Sequence, residues 1–260
     1  VSSFMKKGST YSDIAVYLPT EDAWKSGKMP EEKQFIWAWG YYEMRYIYFP
    51  DELSSYNPAW INYEFLEKGQ MEGEIFKVGE ARFKAIYIDA EYLDYKVVKR
   101  VSELAGEGLR IVLKRNPVEP GAIKHDDYEV LLRKIMAVAK SDISSFGKQL
   151  PPFISGKDIP SHWCRKDGRS LYIFFPDTKS KRLKFPLEYG QSLNAEAVKM
   201  PVEIFFEGKT YELNLNFEPY QSLLYELENG RAKEIDIEFI PDTPVVKTRP
   251  EGYEAPWLVK

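Results

Sequence analysis

The sequence predicts two parts: an α/β domain on a mostly parallel sheet, then an antiparallel β-sandwich with an extended tail. Three observations predict this. Strand and helix signals alternate over roughly the first 140 residues, the pattern of a parallel sheet with right-handed crossovers. The chain changes character between Ser141 and Lys157, where Pro151-Pro152 and two glycines interrupt it. Beyond that point period-two apolar alternation recurs with little helical spacing. The expected limits are residues 1–145 for the α/β domain and 146–260 for the sandwich.

The α/β elements follow in order. The run S-D-I-A-V-Y-L-P (12–19) is short, apolar and closed by Pro19, as a buried parallel strand would be. The loop T-E-D-A-W-K-S-G-K-M-P-E-E (20–32) follows. Glu31 to Tyr48 is aromatic and helix-like, ending before Pro50. W-I-N-Y-E-F-L (60–66) suits a second strand or the start of a short helix. Glu74 to Val78 and Phe83 to Asp89 read as strands around a turn at Gly79. Val97, Val98, Val101, Leu104 and Ala105 fall at helical spacing, and Gly106-Glu107-Gly108 ends that helix. Leu109 to Leu113 is the next strand. Asp126-Asp127 caps a helix running to about Lys140.

In the second part, 171–175, 182–189, 202–208, 211–217, 222–227 and 234–240 read as strands. Y-E-L-N-L-N-F and E-I-D-I-E-F-I alternate as half-buried antiparallel strands do. Glu207-Gly208-Lys209 and Glu228-Asn229-Gly230 are tight hairpin turns. Six strands at near-regular spacing predict the sandwich. Pro241, Pro244, Pro250 and Pro256 make the tail extended.

Composition narrows the function classes. The net charge of −4 gives no field that favours nucleic acid or an anionic membrane. No stretch approaches the ~20 apolar residues a membrane-spanning helix needs. A single cysteine, Cys164, excludes an internal disulfide and a cysteine-based zinc site. The aromatic share of 15% suits carbohydrate stacking, and equally a strand-rich core with tyrosines at its rim. The chain opens Val1-Ser2-Ser3-Phe4-Met5, with neither an initiator methionine nor a signal peptide, and reads as a piece of a larger protein.

No catalytic constellation emerges. A flavodoxin-like or class I amidotransferase-like sheet raises flavin or nucleotide binding at the strand ends. The loop Pro19-Thr20-Glu21-Asp22-Ala23-Trp24 is acidic and lacks glycine, so it would repel phosphate. Amidotransferase chemistry needs a cysteine after a strand of that sheet, and Cys164 lies in the other part. His125 and His162 fall on opposite sides of the boundary and do not form a metal pair. No G-x-S-x-G elbow and no D-x-D-x-D calcium loop occurs. No catalytic residue, metal ligand or cofactor is therefore assigned. Glu21, Asp22 and Trp24 are the first candidates for substrate contact, because ligands of open α/β sheets gather at the carboxyl ends of the strands. Trp37 and Trp39 are second, within the dense cluster of Phe35, Tyr41, Tyr42, Tyr46, Tyr48 and Phe49. That cluster is expected first to pack on another domain, and second to stack a sugar.

The same residues carry a family likeness. V-S-S-F-M-K-K-G-S-T-Y-S-D-I-A-V-Y-L-P-T-E-D-A-W (1–24) resembles the segment after the catalytic barrel in large bacterial glycoside hydrolases. It is most like the α-L-rhamnosidase-like proteins of glycoside hydrolase family 106. W-I-N-Y-E-F-L (60–66), E-I-F-K-V-G-E-A-R-F-K-A-I-Y-I (74–88) and V-S-E-L-A-G-E-G-L-R-I-V (101–112) continue the resemblance. I-P-S-H-W-C-R-K-D-G-R-S-L-Y-I-F-F (159–175) and E-P-Y-Q-S-L-L-Y (218–225) are similar to parts of the terminal β-sandwich of that family. Phe175-Pro176-Asp177 stands where the family has an asparagine. The family's catalytic glutamates lie on the barrel, which would precede Val1, so none is carried over. The resemblance implies a non-catalytic C-terminal region that supports and rims the active site of a barrel. It also implies a carbohydrate substrate and export with the parent to the periplasm or cell surface. The competing expectation is a stand-alone carbohydrate-binding or interaction module using Trp163, Tyr172 and Tyr189.

Overall fold

The computed structural model describes Phe4 and residues 6–25, 49–176, 197–218 and 221–236. The candidates Trp37, Trp39 and Tyr189, the aromatic stretch 31–48, the expected strand 182–189 and the tail 241–260 lie outside the described residues.

In chain order the elements are β1 (Ser9–Thr10), β2 (Ile14–Tyr17), α1 (Thr20–Lys25), β3 (Pro58–Ile61), α2 (Tyr63–Lys68), β4 (Gln70–Glu72), β5 (Ile75–Val78), β6 (Ala81–Phe83), β7 (Ala85–Ile88), α3 (Tyr95–Gly106), β8 (Arg110–Leu113) and α4 (Tyr128–Val138). Then come β9 (Ile154–Ser155), β10 (Trp163–Asp167), β11 (Ser170–Phe175), β12 (Val198–Phe206), β13 (Lys209–Phe217), β14 (Leu223–Glu228) and β15 (Arg231–Glu234).

The first sheet is parallel throughout, in the order β3-β2-β7-β8. Its central strands, Ile-Ala-Val-Tyr and Ala-Ile-Tyr-Ile, are buried at every position. That is why they read as continuous apolar runs rather than as alternation. Ala15, Tyr17, Ile86, Ile88 and Ile111 face one core. Ile14, Val16, Ala85, Tyr87 and Val112 face the other. The first core is covered by α2, α3 and α4 through Leu66, Val97, Val101, Leu104, Leu132 and Ile135. The second is covered by Leu53 and Ile143, each in a 3-10 turn. A flavodoxin-like fold has helices on both faces, and helices on the second face are not among the described residues. A small antiparallel sheet, β4-β5-β6, is inserted before β7.

The remaining strands form a five-stranded sheet, β1-β10-β11-β14-β15, and a three-stranded one, β13-β12-β9, with every pairing antiparallel. The two share one core. Leu171, Ile173 and Phe175 come from the first sheet, and Ile204, Phe206, Leu213 and Leu215 from the second. Both hairpin turns expected from sequence are present. Glu207 and Gly208 have φ of 48° and 75°, and Asn229 and Gly230 have 52° and 85°. Positive φ at both central residues matches the right-handed strand twist.

Three local expectations are corrected. Residues 20–25 are helical rather than a loop, because α1 starts immediately beyond the strand. Asp127 stands at the start of α4 but makes no side-chain cap; its carboxylate accepts from the Tyr95 hydroxyl at 3.0 Å instead. The last described strand runs over 231–234, directly after the Asn229-Gly230 turn, instead of starting at Glu234. Ser9 and Thr10, early in the chain, pair with Lys166 and Arg165 of the antiparallel sheet. Arg165 fastens that pairing by donating to the carbonyls of Lys7 and Gly8 and to Thr10 Oγ1, at 2.7, 2.6 and 2.8 Å. A Cβ at residue 8 would lie 1.9 Å from the Lys166 oxygen, so only glycine allows the approach.

Candidate functional site

The chain leaves the carboxyl ends of all four parallel strands on one edge of the sheet, and the connections after β2, β7 and β8 build the site. Because β3 lies to one side of β2 and β7 to the other, the chain reverses its winding between β2 and β7. Ligands of open α/β sheets enter a crevice of that kind.

Here this chain's own carboxylates occupy that crevice. Asp22 accepts from the Glu91 amide at 3.1 Å through both oxygens and from the Tyr92 amide at 2.7 Å. Glu21 accepts from the Tyr17 hydroxyl at 2.8 Å and from the Asp94 amide at 3.3 Å. The two residues are only 4% (Glu21) and 6% (Asp22) exposed. Burial, reinforced by Glu21, pushes the Tyr17 phenol far up, so it remains a donor. Amide groups in such loops commonly receive a phosphate; Glu21 and Asp22 already satisfy these. The pair thus fastens the β7–α3 loop. Trp24, the third candidate, is 78% exposed. Beside it the Lys25 ammonium lies 5.4 Å from the Tyr92 ring centre.

A second constellation lies in the β8–α4 connection, residues 114–127. Glu119 is 7% exposed. Its carboxylate accepts from the His125 amide at 3.0 Å and meets His125 Nδ1 at 2.5 Å. Burial alone would raise the Glu119 carboxyl, but the His125 hydrogen bonds and charge outweigh it and hold the group below the usual range. The imidazole stacks on Tyr95, with centroids 3.8 Å apart and planes 6° off parallel. Asp94, Tyr95, Glu119, Gly121, Ile123 and His125 line a cleft of about 260 Å³. In the sequence His125 reads only as a surface or hydrogen-bonded structural residue. The available signal was length: a connection this long without an element of its own is uncommon and is often functional.

The other sequence candidates separate. Cys164 is buried, and burial pushes its thiol well up, which suits packing and not nucleophilic attack. His162 stacks on Phe153 and lies tilted against Phe175, far in topology from His125, and burial lowers its pKa. Trp163 is 56% exposed and stacks on Phe174. Tyr172, on the same sheet face, is covered: its hydroxyl donates to Glu226 at 2.6 Å and Lys7 sits 4.0 Å from its ring centre. Among the described residues no group of three histidine, cysteine or acidic side chains could hold a metal ion. No described helix is long and apolar enough to cross a membrane.

No protein-family model and no curated protein matches this sequence. Its fold does find a counterpart among solved structures. The chain resembles part of a rhamnosidase. One match is to the rhamnosidase from Novosphingobium sp. PP1Y, with a TM-score of 0.57 and 13% sequence identity over 88% of this chain. The present chain spans only 24% of that rhamnosidase. At this identity the similarity is one of fold.

Proposed function

We propose that this chain is a non-catalytic supporting region of a glycoside hydrolase of the rhamnosidase kind. In this proposal it pairs a flavodoxin-like domain (1–145) with a β-sandwich (146–260) and packs against a catalytic barrel in the same parent chain. The observation that carries this reading is the pair of coverages: most of this chain corresponds to about a quarter of a rhamnosidase. The site geometry supports it. The crevice between β2 and β7 is filled by Glu21 and Asp22, which leaves Trp24 as the exposed aromatic that would rim a neighbouring sugar cleft, with Trp37 and Trp39 second. The parent is proposed to be exported to the periplasm or cell surface and to act on carbohydrate.

Assay of the chain alone on aryl rhamnosides and polysaccharides should give no turnover. In the parent enzyme, Trp24→Ala should raise KM several-fold and leave kcat unchanged, the signature of lost uniform binding. Turnover by the isolated chain, or an unchanged KM, would sink this reading. The exposure of Trp163 favours a second one, a stand-alone carbohydrate-binding module. That reading requires isothermal titration of the chain with a polysaccharide panel to show binding that Trp163→Ala removes.

A further inference from the structure

We infer that the cleft over Glu119 and His125 binds one ring of a neutral polyhydroxylated ligand, a saccharide. The choice of saccharide among neutral polyols rests on the hydrolase reading above; the chemistry of the site rests on its own geometry.

The imidazole of His125 is held from two sides. Glu119, ionised because the His125 contacts hold it below the usual carboxylate range, requires Nδ1 to donate. Nε2 is then the ring atom left for a ligand, an acceptor in a neutral imidazole and a donor in a protonated one. Tyr95 fixes the plane of the ring by stacking, and the Tyr95 hydroxyl is itself tied to Asp127. A buried carboxylate that orients a histidine whose side chain remains 44% exposed is an arrangement that presents a ring nitrogen to a ligand. Packing needs neither the exposure nor the fixed tautomer.

The surroundings select the ligand. Asp94, Glu119 and Asp127 lie in or beside the cleft against one ammonium, Lys124, which donates to the Glu119 carbonyl, and the acidic excess disfavours an anion. A metal cation would need a fuller set of ligands, and no such group exists among the described residues. A neutral ligand rich in hydroxyls, which both donate and accept, meets His125 Nε2 in either form and supplies donors for the Asp94 carboxylate, one oxygen of which accepts from the Lys96 amide. Ile123, 80% exposed, offers an apolar wall for sugar C–H groups. The volume, about 260 Å³, falls just under the ~300 Å³ low end of small-molecule sites and suits a single ring. The cleft also continues the carboxyl edge of the parallel sheet, since the Asp94 amide is the one that Glu21 grips.

The test uses the 260-residue chain with carbon-13-labelled histidine. His125 and His162 are its only histidines, so the buried His162 is an internal control. The chain is titrated with neutral hexoses and 6-deoxyhexoses, and with D-galacturonate as an anionic counterpart of D-galactose. The expected result is a saturable shift of the His125 ring signals with a millimolar Kd, no movement of His162, and at least fivefold weaker binding of the uronate. His125→Ala, which removes the reporter and is therefore read by isothermal titration with the same sugars, abolishes binding. Glu119→Gln, which keeps the shape but removes the charge that sets the tautomer, weakens it about tenfold, with thermal melting showing that both variants remain folded. The inference is overturned if no neutral sugar moves His125 up to about 100 mM, roughly a hundredfold above a millimolar Kd, or if the uronate binds as well as the hexose. Either result leaves the hydrolase reading standing, because that reading is judged on the kinetics of the parent. Turnover by the isolated chain would do the reverse.

Discussion

The first turn of α1 and the β8–α4 connection sit on the same edge of the parallel sheet, and each hides carboxylates almost completely. Glu21, Asp22 and Glu119 are 4%, 6% and 7% exposed. Their uses differ. Asp22 accepts from backbone amides about 70 positions later in the chain, and Glu21 accepts from an amide and a buried phenol. Glu119 instead holds a side chain, His125, that still reaches solvent. Burial alone therefore says nothing about role. A carboxylate that ends on backbone fastens a loop, whereas one that ends on a half-exposed imidazole presents a group.

The largest effect should come from breaking the fastening. Asp22→Ala strands the Glu91 and Tyr92 amides, and a buried donor left without a partner costs about 1–3 kcal/mol. Urea denaturation should show a loss of about 3 kcal/mol, and Asp22→Asn, which keeps an acceptor, should recover more than half of it. His125→Ala should cost under about 1 kcal/mol, because the ring is half exposed. Equal losses from the two alanine variants would erase the distinction drawn between the loops.

Asp13 sharpens the comparison as a fourth buried carboxylate, 2% exposed, at the amino end of β2. It accepts from the Asn57 amide at 2.7 Å. Burial nevertheless wins, with the Asn57 hydrogen bond and Lys84 opposing it, and the pKa is pushed up to about 6 from 3.8. Because the folded value lies above the unfolded one, the folded state binds the extra proton between about pH 4 and 6. Stability from this group is full below about pH 4 and is lost as pH rises through 6. A rise from 3.8 to about 6 is equivalent to about 3 kcal/mol. Asp13→Asn keeps the acceptor and removes the charge, so at about pH 7.5 it should be about 2 kcal/mol more stable than the unsubstituted chain, and the difference between the two should vanish as pH falls from about 6 to 4. Destabilisation at that upper pH would mean that the charge itself is needed there. Tyr17→Phe is smaller: loss of one hydrogen bond to Glu21 should cost about 1 kcal/mol in the same assay.

What was legible in the sequence was local. β2, β7 and β8 announce themselves as apolar runs, α3 by its helical spacing, and the two hairpins by Gly208 and Asn229-Gly230. What escaped depends on distant partners. β1 has two residues and exists because Arg165 and the space above Gly8 hold it to β10. The six residues of α1 carry no apolar period. Glu21 and Asp22 were conspicuous for where they lie, but their role depends on amides of the β7–α3 loop that no local pattern reveals. The pairing of Glu119 with His125 spans six positions of irregular chain, where neither helical nor strand periodicity applies.

Trp24 gives the smallest expected effect on stability and the most direct test of the edge. At 78% exposure it buries little, so Trp24→Ala should leave the urea midpoint within about 0.5 kcal/mol of the parent chain, the range of ordinary surface changes. The Asp22 fastening lies two residues before it and is untouched by the change. If stability falls by more than about 1 kcal/mol, the ring is covered by part of this chain and the exposed-rim assignment fails. If the midpoint holds while KM in the parent enzyme rises, the exposed ring acts on substrate. The edge then divides as the geometry divides it, with Asp22 holding the loop shut and Trp24 facing outward from it.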